Sequence, residues 1–125
     1  PIVATMTALI VCIRFSASSK TLELFPALLK VYIENLCVDG ITFHSDETGL
    51  HGLCKADHMV FLTARGGIYT DSPMEQGARY WQMAAFFGIA KFDCVAAEGL
   101  DIGAWPVAEL MEQAKEKAAE VAKAF

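Results

Sequence analysis

With 125 residues, 54% of them hydrophobic, the chain is long enough for one domain with a sizeable core and too short for two. A formal net charge of -5 and the lack of a Lys/Arg cluster exclude a nucleic-acid grip, leaving small molecules or proteins as partners. No apolar run approaches the roughly 18 to 20 residues of a membrane span, and Pro1–Ile13 has neither a basic n-region nor a clear cleavage site, so a cytoplasmic protein without a membrane partner is expected.

In chain order, Ala8 to Ile13 is apolar and rich in β-branched residues, which predicts a buried strand. The segment after it carries hydroxyls at Ser16, Ser18, Ser19 and Thr21. Two readings stand side by side there: hydroxyls and helix N-terminal amides gathered around a phosphate, or a surface loop whose Ser or Thr caps the next helix. From Pro26 the spacing turns helical, with Leu28, Leu29, Tyr32, Ile33 and Leu36 on one face and Asp39-Gly40 as the stop. Ile41–Ser45 and Leu50–Leu53 flank Asp46-Glu47-Thr48-Gly49, which reads either as a short hairpin or as an ordered excursion.

Met59 to Leu62 is a continuous apolar run, suited to a strand covered on both faces of a parallel sheet. Gly66 and Gly67 break it. A loop at the carboxyl end of such a strand is where open α/β sheets bind ligands, because its amides are free of the ladder. Ser72 is the expected N-cap of a helix starting at Pro73, with Tyr80, Trp81, Met83, Ala84 and Phe87 as its apolar face and Gly88 as its end. Phe92–Ala96 reads as a strand with Glu98, Gly99 and Leu100 at its exit. A last helix opens at Pro106, with Val107, Leu110, Met111, Ala114, Ala118, Val121 and Phe125 at helical spacing and the pairs Glu112/Lys115 and Glu120/Lys123 facing out. Strands alternating with helices predict an α/β domain with a mostly parallel sheet between helical layers.

Cys12, Cys37, Cys54 and Cys94 are widely spaced and suit reduced thiols better than a disulfide frame. His51, Cys54 and His58 have metal-ligand spacing, but no fourth ligand lies close by and no metal is expected. Tyr69 follows the glycine loop closely enough to touch a ligand. Arg65 reads either as a partner for an anionic ligand or as a solvent-facing side chain, and Glu98 either as a site carboxylate or as a loop or cap partner.

Pro26-Ala27-Leu28-Leu29-Lys30, Gly40-Ile41-Thr42-Phe43, Gly52-Leu53, Ala64-Arg65-Gly66-Gly67-Ile68-Tyr69, Phe86-Phe87-Gly88-Ile89 and Ala97-Glu98-Gly99-Leu100 together resemble the C-terminal half of FMN-dependent NADH azoreductases. These are flavodoxin-like quinone and azo-compound reductases, also labelled acyl carrier protein phosphodiesterases. The resemblance implies a flavodoxin-like three-layer α/β/α fold with fewer strands than a full-length member. It also implies FMN at the interface of a homodimer, NADH or NADPH as electron donor, and a small-molecule acceptor. The flavin would carry the chemistry, so no catalytic side chain is expected. Ala64, Arg65, Gly66 and Gly67 match the loop whose backbone cradles the isoalloxazine, with Tyr69 beside it and Ser19 and Thr21 as the candidate phosphate contacts. Phe86 matches an aromatic of the substrate cleft, and Phe43 and His44 lie on the excursion that reaches toward the partner's site. Ala64 stands where members often have Ser, and the aromatic often found near Ser45 is absent. The alternative is a cofactor-free domain of the same fold that dimerises as a binding or structural unit.

Overall fold

The computed structural model describes residues 8–12 and 27–124. Ala8–Cys12 (β1), His58–Ala64 (β4) and Lys91–Ala97 (β5) form a three-stranded sheet in the order β1-β4-β5. Both pairings are parallel, with Ile10 opposite Val60 and Phe61 opposite Cys94. Phe43–Asp46 (β2) and Gly49–Gly52 (β3) make a separate antiparallel hairpin at the expected place. The helices are Ala27–Leu36 (α1), Gly77–Trp81 (α2) and Val107–Ala122 (α3).

The apolar run on β4 is buried on both of its faces, as a central parallel strand requires. Met59 and Phe61 point one way and join Ile33 of α1, Trp81 of α2, Phe87 and Ile89 in the core, with Phe92 and Cys94 of β5 packed against them. Val60, Val95 and Ala97 lie outside that cluster and are buried as well. Each large apolar side chain sequestered in this way contributes about 1.5–3 kcal/mol. α3 packs along β5.

The hairpin is fastened at both ends. The Thr42 hydroxyl donates to the Leu36 carbonyl and accepts from the Val38 amide (3.1 Å), which terminates α1 and turns the chain into β2. At the other end the Cys54 amide donates to the Phe87 carbonyl (3.0 Å).

The helices depart from the expected pattern at several points. The helix predicted from Pro73 starts at Gly77. Glu75 is drawn inward to Arg65, residues 73–76 stay out of the helix, and the Ser72 hydroxyl accepts from the Met74 amide (3.2 Å) in a local turn instead of capping a helix. Past Trp81 the chain winds as a 3-10 helix over Gln82–Phe87, whose three-residue repeat rotates the apolar face. Trp81 and Phe87 are therefore buried while Met83 is 38% exposed. On α1, Ile33 is 3% exposed but Tyr32 is 60% exposed, since no described element covers that side. Leu110, Met111, Ala114, Ala118 and Val121 of α3 are half-buried as predicted, whereas Val107 is exposed. The Lys115–Glu112 and Lys123–Glu120 pairs form on the outer face of α3 at 2.6 Å. Among the described residues no helix is long and apolar enough to cross a membrane.

Candidate functional site

β4 and β5 end side by side, Ala64 opposite Ala97, and the loops leaving them continue the ladder. The Arg65 amide donates to the Ala97 carbonyl (2.8 Å). In return the carbonyls of Arg65, Gly66 and Gly67 accept from the amides of Leu100 (3.2 Å), Asp101 (3.0 Å) and Gly99 (2.9 Å). Gly99 has φ of 76°, a left-handed turn that glycine adopts without strain, and this brings the second loop back against the first.

The donors of the glycine loop divide into two groups. The amides of Tyr69 and Thr70 point at one carboxylate oxygen of Glu98, 2.9 and 3.0 Å away. Among the described residues the amides of Gly66, Gly67 and Ile68 make no hydrogen bond. A Cβ on Gly66 would overlap the Asp101 side chain, and one on Gly67 would stand 2.6 Å from the Tyr69 ring, so a larger residue at either position would have to displace those side chains. The Tyr69 ring therefore rests on Gly67.

Arg65 faces inward, which replaces both the ligand-facing and the solvent-facing reading of its side chain. It is 8% exposed and pairs with Glu75 and, at 3.1 Å, with Glu98. Burial pulls the guanidinium down, but Glu75 and then Glu98 outweigh it and hold Arg65 above its ordinary value. Burial likewise pushes the Glu98 carboxyl up, and the hydrogen bonds from Thr70, Tyr69 and Arg65 overcome it, keeping the group below the usual range and ionised. Glu75 also accepts from the Ala78 amide (2.8 Å), tying the start of α2 to the same cluster. The Ala97-Glu98-Gly99 stretch marks Glu98 in the sequence, but nothing local signals that Glu75, ten positions from Arg65, is its partner.

The aromatic residues assemble elsewhere. Phe43 and Phe86 meet with ring centroids 4.6 Å apart, and Phe86 meets Phe87 edge-on at 5.3 Å. Phe87 is bonded to Cys54, four residues ahead of β4, so this cluster sits at the amino end of the strands. Seven strand residues, about 20 Å, separate it from the glycine loop. His44, next along β2, points to the other face and bonds Asp39 through Nδ1 (3.1 Å). The structure thus joins Phe43 to Phe86 and places neither with Gly66 or Gly67. Ser19 and Thr21 lie outside the described residues.

The three residues with metal-ligand spacing go to separate partners. His51 bonds Asp46 (3.2 Å) and Thr48 (2.8 Å), Cys54 approaches the Thr42 carbonyl at 4.0 Å, and buried His58 bonds Asp93 (2.6 Å). Among the described residues no three His, Cys, Asp or Glu side chains converge on a metal site. Hydrogen bonds from the Thr48 side chain and backbone, then His51, lower Asp46 to about 2. Cys37, Cys54 and Cys94 are free thiols. A cleft of about 390 Å³ lies beside the loop, bounded by Ile68, Glu98, Trp105, Leu110 and Lys117.

Residues 24–122 match the family described as having a flavodoxin-like fold. An FMN-dependent NADH:quinone oxidoreductase 2 of Clostridium acetobutylicum is 42% identical over 105 residues, 81% of this chain and 52% of its own length. The FMN-dependent NADH:quinone oxidoreductase of Azotobacter vinelandii is 38% identical over 98 residues, 78% of this chain and 49% of its own length. The chain therefore spans about half the length of the curated relatives it matches. Among solved structures, an azoreductase from Bacillus anthracis str. Sterne superposes with a TM-score of 0.78 at 28% identity, over 95% of this chain and 57% of that one. An FMN-dependent NADH-azoreductase from Bacillus anthracis str. Ames Ancestor, in complex with FMN, gives 0.78 at 25% identity, over 95% and 56%.

Proposed function

The chain belongs to the family with the flavodoxin-like fold, and from that premise we propose that it acts as an FMN-dependent oxidoreductase, passing a hydride from NADH or NADPH through the flavin to a quinone or an azo compound. The supporting relatives are named FMN-dependent NADH:quinone oxidoreductases and azoreductases. The observation that carries the reading is the run of three amides, Gly66 to Ile68, that have no partner among the described residues, at the carboxyl end of two parallel strands.

Such a run fits the isoalloxazine, whose pyrimidine edge carries only acceptors and one imide N–H. Gly66 and Gly67 carry no Cβ, so a flat ring reaches their backbone once the Asp101 carboxylate and the Tyr69 ring, which stand there in this structure, turn aside, and Ala64 and Arg65 lead the chain to that point. Ser19 and Thr21 are the proposed phosphate contacts. When bound, FMN supplies the redox chemistry; this chain's residues bind it, orient it and shield it from water.

The placement of the aromatics supports a homodimer. Within one chain the Phe43–Phe86 pair and the glycine loop lie at opposite ends of β4. In the proposed cytoplasmic dimer, Phe43, His44 and Phe86 of one copy line the acceptor cleft above the loop of the other. A second reading is favoured by one contact, the Tyr69 ring resting on Gly67: a cofactor-free domain that dimerises as a binding or structural unit. Desalted protein tested for a flavin absorbance spectrum and for NADH-driven reduction of a quinone separates the two. Yellow, active protein upholds the first; protein that takes up no added FMN upholds the second.

A further inference from the structure

We propose that Glu98 is the positioning residue of the proposed flavin loop. Its carboxylate takes the Tyr69 and Thr70 amides, and this fixes the loop so that the amides of Gly66, Gly67 and Ile68, which have no partner among the described residues, are the ones turned to a ligand. The inference rests on the flavin reading of that loop.

Three observations converge on it. First, one oxygen of Glu98 accepts from both Tyr69 and Thr70, and the second lies 3.4 Å from Thr70, so the distal half of the loop is held by a single side chain. Charge-assisted bonds of this kind are about twice as strong as neutral ones. Second, the carboxylate is itself held. The Arg65 guanidinium reaches it at 3.1 Å and is in turn fixed by Glu75, whose other oxygen binds the start of α2. A chain of contacts thus runs from α2 through Arg65 and Glu98 to the loop backbone. Third, the proximal half of the loop is clamped through its carbonyls to Gly99, Leu100 and Asp101, the residues that follow Glu98. Both halves are therefore anchored to one short segment, 98–101, and the amides of Gly66 to Ile68 fall between the anchors.

A helix-capping or purely local role does not account for this arrangement, because Glu98 caps no helix and its backbone partners lie 28 and 29 residues away. Glu98→Gln keeps the shape and removes the charge, so it isolates the anchoring.

The test is amide hydrogen exchange on the FMN-free chain, wild type against Glu98→Gln, together with FMN affinity measured by fluorescence titration. The proposal expects exchange at Tyr69 and Thr70 to rise about tenfold or more while Val60 and Phe61 of β4 are unchanged, and FMN affinity to fall by about the same factor with a shifted flavin absorbance. Glu112→Gln, on the exposed face of α3, is the control and should change neither. Unaltered exchange at Tyr69 and Thr70, or an equal rise at Val60 and Phe61, overturns the anchoring. A loosened loop with undiminished FMN affinity overturns the positioning role. A wild-type chain that binds no FMN, while Glu98→Gln still loosens the loop, overturns the flavin reading and upholds the anchor.

Discussion

Gly52 and Gly88 touch backbone to backbone: a Cβ on Gly88 would stand 3.0 Å from the Gly52 carbonyl oxygen, and one on Gly52 would overlap the Gly88 nitrogen. This contact seats the hairpin against the end of the 3-10 segment, beside the bond from the Cys54 amide to the Phe87 carbonyl. Gly52→Ala forces backbone apart and should destabilise the fold by about 1–3 kcal/mol. Gly40→Ala meets no neighbour and carries only the strain of φ 75°, about 1–2 kcal/mol. Urea midpoints compare the two, and the difference expected between them is local: only Gly52→Ala should weaken the Phe43–Phe86 contact, read from aromatic NMR shifts.

Arg65 is a buried cation that depends on two carboxylates. Removing Glu75 strands it beside a single remaining partner and should cost about 3–5 kcal/mol in chemical unfolding of Glu75→Ala. The double substitution Arg65→Met with Glu75→Leu removes the charges together and should recover much of that loss. A Glu75→Ala protein as stable as wild type would mean that the pair does not carry the charge burden assigned to it.

The lowered Glu98 carboxyl sets a pH dependence with a definite sign. Its pairing stabilises the folded chain fully above the unfolded value of 4.5, and that contribution is lost as pH falls through the lower folded value. The acid limb of unfolding in this window should flatten in Glu98→Gln. Asp46 gives an independent check by NMR titration. Its carboxyl should titrate at about 2 in the wild type and move toward 3.8 further in Thr48→Ala than in His51→Ala, following the order of the groups that lower it.

The strands were legible because their signals are local. The apolar run at Met59–Leu62 needs cover on both faces, and the polar Asp46–Gly49 between two short apolar runs needs a turn. The start of α2 was not legible. Ser72-Pro73 is a good helix opening in isolation, and what overrides it is Glu75 reaching Arg65, a buried ion pair that no spacing announces. The sequence puts Trp81, Met83 and Phe87 on one apolar face, whereas the change from α to 3-10 winding after Trp81 keeps Trp81 and Phe87 in the core and leaves Met83 outside it. At the site the glycine pair marks the loop, but the partner of the Tyr69 and Thr70 amides is Glu98, nearly thirty residues downstream. The distance between the loop and Phe86 is a property of the topology and is invisible in the order of motifs.

That distance makes the dimer testable by complementation. A chain with Phe86→Ala and a chain with Gly67→Leu should each be poor quinone reductases, for different reasons. Refolded together in equal amounts, they should regain about a quarter of wild-type activity, because about half of the dimers are mixed and each mixed dimer has one of its two sites built from an intact loop and an intact aromatic cluster. No recovery would place both elements of each site in a single chain.

Whether the backbone from Ala64 to Tyr69 holds FMN, as proposed, is read from a titration of desalted protein with FMN, followed by flavin fluorescence, alongside Gly67→Leu. Saturable quenching at one FMN per chain is expected, abolished by a Leu side chain at the point where Gly67 meets the Tyr69 ring. Absence of quenching in the wild type, or equal binding by Gly67→Leu, would contradict it.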